Sequence, residues 1–150
     1  MNFAAATKSV SKAETAVLSS ATHSLEIDTI GFEFASIDVL FSPFTAASPP
    51  TTAATVLRVA HSDTTGTASQ TNITGLVSGT DFTVAAGVTA TAGVGYAHRF
   101  EVDLRGKRRY LTVFATPSST CGVITSCRLS KGEAGPTATA DKGVSSQAMA

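Results

Sequence analysis

A chain of 150 residues fits one ordinary domain and can bury one sizeable core without disulfide or metal staples. Its hydrophobic content of 43% excludes a chain that is disordered by composition, and its charged fraction of 15% is low against a usual figure of about 25%. Eleven basic and eleven acidic residues cancel to a formal net charge of zero, which argues against bulk electrostatic attraction to nucleic acid.

Residues 1–22 are rich in Ala, Ser and Thr. Ser11 and Glu14 stand at capping-box spacing, and Val10, Val17 and Leu18 make a brief apolar stripe, so one short helix is predicted there. The segment is too short to hold a helix alone and is expected to be an arm that docks on something else. Met1–Ala6 is mostly apolar but lacks a full signal h-region, and no run approaches about 18 apolar residues. Neither a secretory leader nor a membrane span is expected.

From His23 the pattern changes. Leu25 and Ile27 alternate with Glu26 and Asp28, which predicts a strand that Gly31 ends. The run from Phe32 to Phe41 is interrupted only by small or acidic residues and predicts a strand buried on much of both faces, or one at a subunit contact. Pro43, Pro49 and Pro50 then mark an uncharged loop over 42–52. Thr55–Ala60 predicts a strand, His61–Gly66 a turn, and 67–90 two or three short β pieces set off by Gly75, Gly79 and Gly87. Tyr96–Leu104 and Arg109–Thr116 flank the tight turn Arg105-Gly106-Lys107, so 96–116 predicts a hairpin, and Cys121–Leu129 is expected to be the last strand. After Leu129 the sequence loses all apolar period and is expected to be a second arm.

Short strands at this spacing, with Gly and Pro turns and no βαβ alternation, predict an all-β chain: a single antiparallel β-sandwich or jelly-roll-like core over 23–130, with arms at 1–22 and 131–150. Cys121 and Cys127 lie on one predicted strand, separated by roughly 20 Å of extended chain, beyond disulfide reach. They are expected to be buried free thiols. His23, His61 and His98 are scattered without metal-ligand spacing, so no metal site is expected.

The densest basic cluster is Arg105, Lys107, Arg108 and Arg109. It reads first as a charged turn that keeps a sheet edge soluble, with Glu101 and Asp103 close enough to pair with it. As a functional feature it is the candidate partner contact, facing an acidic protein surface rather than nucleic acid. Glu26/Asp28 and Glu101/Asp103 each share a strand face, but a chain without Trp and with two Tyr lacks the usual aromatic walls of a glycosidase cleft. Gly93-Val94-Gly95 lacks the third glycine of a dinucleotide loop, and no Gly-x-Ser-x-Gly occurs. No catalytic residue, cofactor or enzymatic activity is expected.

The stretch from Phe100 to Thr116, in which an apolar-Asp strand passes through a Gly turn into Arg-Tyr-apolar-x-Val, resembles a pattern of small virion structural proteins of tailed bacteriophages. Leu57–Asp63 is similar to that family's strand entering a Ser-Asp turn, with His61 where an acidic residue would be usual, and His23–Leu40 fits its first strands. The resemblance spans about residues 23–130. It implies a jelly-roll-like virion component, most closely a capsid cement or decoration protein. Such a protein is made in the host cytoplasm and placed on the capsid surface. Its implied partners are the major capsid protein and further copies of itself, as a homotrimer, with no direct nucleic acid and no membrane. The alternatives are another virion part (a tail, neck or fibre-associated β module) and a ligand-binding β-sandwich.

Overall fold

Along an extended chain, side chains two apart share a face, so a strand of a two-sheet protein alternates between core and solvent. In a computed structural model describing residues 7–45, 48, 50–89, 94–131 and 146–149, that alternation appears as nine strands. They are β1 (Thr7–Val17), β2 (His23–Asp28), β3 (Phe34–Phe41), β4 (Ala54–Ser62), β5 (Thr71–Val77), β6 (Tyr96–Asp103), β7 (Tyr110–Pro117), β8 (Cys121–Ser130) and β9 (Ser146–Met149). The clearest case is β6, where Tyr96, His98, Phe100 and Val102 are buried and the residues between them are half-buried on the outside.

One sheet has the order β1-β8-β3-β6-β9 and the other β2-β7-β4-β5. The antiparallel pairings nest: β1 with β8, β2 with β7, β3 with β6, and β4 with β5. The first four strands thus form one long ribbon with the next four, and the ribbon is rolled so that β3 also meets β8 and β4 also meets β7. This is the eight-stranded, two-Greek-key jelly roll. Between the sheets lie Phe41, Phe44, Phe100, Ile27, Ile37, Leu57, Leu111 and Leu129, all fully buried. Each such side chain contributes about 1.5–3 kcal/mol relative to an exposed one. The all-β sandwich is therefore the observed architecture.

Three sequence expectations need correction. First, residues 7–17 are neither helix nor arm: β1 pairs along the whole length of β8. The local capping pattern of Ser11 and Glu14 loses to a ladder that supplies backbone partners at nearly every residue. The boundary expected after residue 22 therefore cuts through the sandwich. Second, β6 and β7 are not a hairpin. The first lies in the five-stranded sheet and the second in the four-stranded one, and residues 104–109 arch between the layers. Leu104 is buried in that arch, its N–H donates to Glu33 O, and Lys107 N closes the turn on Leu104 O with Gly106 at a φ of 80°. Third, β8 is not the last strand, because β9 adds to β6 in parallel. The remainder of the expected C-terminal arm, 132–145 and 150, lies outside the described residues, as do 1–6.

Candidate interaction surfaces

Three connections meet at one end of the roll: 29–33, 63–70 and 104–109. The predicted basic cluster sits there. Arg105 grips Asp103 at 2.9 and 2.6 Å, and Arg109 grips Asp28 at 2.9 and 2.7 Å, each through two guanidinium nitrogens. The nitrogen Nε of Arg108 lies 3.5 Å from Asp63, and its backbone N–H donates to His61 Nδ1 at 3.2 Å. The imidazole at 61 therefore accepts a hydrogen bond, a role an acidic side chain could equally fill there. Lys107 is half-buried. Hydrogen bonds from the Arg109 guanidinium hold Asp28 down at about 2, and those from Arg105 do the same to Asp103. Of the two acids expected to pair with the cluster, Asp103 does so with Arg105, and Glu101, on the same outer face of β6, acts on Arg99. Three of the four cations are thus tied to carboxylates of their own chain. The turn presents a balanced mosaic of charge, and any partner there meets both signs.

A second surface involves β3, whose run was expected to be buried on much of both faces or to lie at a subunit contact, and which the fold buries on one face only. On the outer face of the five-stranded sheet, Ala13 of β1 lies opposite Ile124 of β8, which lies opposite Leu40 of β3, which lies opposite Ala97 of β6. The two large members are exposed, Leu40 at 41% and Ile124 at 46%. The next row toward the arch end is polar and includes Asp38, bound to Arg99 at 2.6 and 2.9 Å. Beside the apolar row runs a shallow groove of about 450 Å³, lined among others by Pro43, Gly95 and Gly122. Small residues keep it open. A Cβ at Gly95 would collide with the carbonyl oxygen of Phe41, and Gly122 exchanges hydrogen bonds with Ser42 at 2.8 Å in both directions. The sequence signals for this face were the apolar run of 32–41, read as a strand buried on both faces or at a subunit contact, and the fall of Leu40 and Ile124 on the solvent phase of otherwise alternating strands.

The buried polar groups serve the interior. His98 is fully buried, stacked on Phe82 with ring centroids 4.7 Å apart and edge-on to Phe100 at 4.5 Å; burial drives its pKa down to about 4. His23 is buried with Nδ1 3.3 Å from Glu14 Oε1. At that separation the contact is a weak electrostatic one, and burial lowers the imidazole pKa despite the carboxylate. Cys121 and Cys127 are buried free thiols on β8, as expected, and burial pushes them up to about 11 and about 12. Among the described residues no group of three or more His, Cys, Asp or Glu could hold a metal ion.

No protein-family profile matches the chain, and no curated protein matches it. Among solved structures it is similar to a chain from the disulfide-linked pili of Bacillus endospore appendages. That similarity covers 84% of this chain and 88% of the other, at 17% identity and a TM-score of 0.37. A likeness at that level transfers neither activity nor assembly.

Proposed function

We propose that this chain is a non-enzymatic structural component of a tailed-phage particle, most closely a capsid cement or decoration protein, acting through contacts with the major capsid protein and with further copies of itself. The observation that carries the reading is the outer face of the five-stranded sheet. It places Leu40 and Ile124 side by side in register and exposed, on a broad and shallow surface suited to lying against another protein. The jelly-roll topology and the resemblance around Phe100–Thr116 agree with it.

Heads produced without this chain provide the test. The purified protein is expected to co-sediment with them, and the double variant Leu40→Asp/Ile124→Asp is expected to stay in the supernatant while keeping the circular dichroism of the parent. Wild-type protein that remains in the supernatant at every concentration would overturn the assignment to the head. The same variant binding as well as wild type would overturn the assignment to this face.

A further inference from the structure

A sheet edge is a row of unpaired backbone groups, and a protein that must not extend its sheets covers that row. In this molecule three of the four edges of the eight-stranded roll are engaged. The ammonium groups of Lys8 and Lys12 reach across from β1 to the carbonyls of Asp28 and Ser24 on β2, at 3.2 and 3.1 Å. Asp81 accepts from the backbone N–H groups of Gly75 and Val77 on β5, both at 2.9 Å. The edge of β6 is covered by β9. The fourth edge belongs to β1, which among the described residues terminates its sheet and is the longest strand, at 11 residues.

We propose that β1 of a second copy fills that edge, antiparallel and across a two-fold axis at Ala13. In this register Lys12 faces Glu14 and Ala13 faces Ala13 of the second copy, and the regular pairing stops at Glu14, because β1 bulges between Glu14 and Val17. Two independent features select it. Lys12 and Glu14 share one face of β1, already paired at 2.6 Å within the chain and still 43% and 36% exposed, so across the seam each meets a second opposite charge and the two pairs join into one four-charge cluster. On the other face the apolar row Leu40–Ile124–Ala13 runs straight into the same row of the second copy. That gives one continuous apolar band across a merged sheet. Shifting the axis to Lys12 or to Glu14 sets like charges opposite each other. Shifting it to Ser11 pairs Lys8 with Glu14 but breaks the apolar band. A two-fold contact gives a dimer in place of the three-fold association that the resemblance implies.

Charge exchange tests this. Glu14→Lys leaves only cations at the seam and Lys12→Glu only anions, so each variant repels itself and attracts the other. Sedimentation velocity over a concentration series is expected to show wild type dimerising, each folded variant alone monomeric, and their equimolar mixture dimeric. Wild type that stays monomeric, or a mixture that does, overturns the pairing. Should either charge variant fail to fold, exposed Ala13→Cys gives the same answer. Directly opposed positions fall within disulfide range, the native thiols are buried, and oxidation is expected to yield a covalent dimer. A monomer after oxidation contradicts it. The pairing rests on the structural-protein reading only for its use in a particle. A monomer that still co-sediments with heads loses the pairing and keeps the function, and a dimer that does not co-sediment does the reverse.

Discussion

His98 sits in the core between Phe82 and Phe100, where an imidazolium would have no water around it. Its folded pKa of about 4 lies below the ordinary value of 6.5. Between those two values the unfolded chain binds a proton that the folded chain refuses. Stability is therefore complete above 6.5 and falls as the pH drops from 6.5 toward 4. The loss amounts to about 3 kcal/mol for this residue. His23 adds to it in the same direction. Asp28 and Asp103 act lower: their folded pKa values of about 2 lie below the ordinary 3.8, so what they contribute is lost as pH falls from 3.8 toward 2. Urea unfolding at a series of pH values should give a stability that declines between 6.5 and 4. His98→Leu, which removes the titrating group at similar volume, should flatten most of that decline. An unchanged slope in the variant would assign the effect elsewhere.

At the scale of the element, β1 shows why a strand can hide in a sequence. Its inward face carries Lys8, Val10, Lys12 and Glu14, so a period of two is present but is not apolar. The charged members do not enter the core; they lean over its rim to reach β2. By contrast, β6 alternates apolar and polar residues cleanly, and β3 and β8 do so except at Phe34, Leu40 and Ile124 on the outer face, so all three were legible as strands from the sequence alone. The arch between β6 and β7 was not, because two adjacent strands with a Gly turn look alike whether they pair with each other or with distant partners. Removing residues 1–20 deletes β1, strips β8 of a neighbour along its length and takes buried Val17 from the core. For a domain whose whole stability is about 5–15 kcal/mol, the truncated chain is expected to lose its cooperative urea transition. A transition with the parent's midpoint would mean that β1 is dispensable, as a free arm would be.

For the whole molecule, the nested order of the strands decides what is buried and what is offered. It brings Arg109 to Asp28 and Arg108 to Asp63, partners far apart in the chain, so the basic cluster and its local pairing with Asp103 were legible and the neutralisation by Asp28 and Asp63 was not. It also lines up Ala13, Ile124, Leu40 and Ala97, one residue from each of four strands that are scattered in sequence. No local pattern could reveal that row, because it exists only once the register between strands is set. The consequence is a roll whose five-stranded sheet has an apolar band on its outer face and, among the described residues, ends at β1. Electron cryomicroscopy of particles carrying this chain is the most direct test. The account predicts copies distributed over the head, with the Leu40–Ile124 face of each against protein. Copies confined to the tail or neck, or copies on the head with that face turned to solvent, would contradict it.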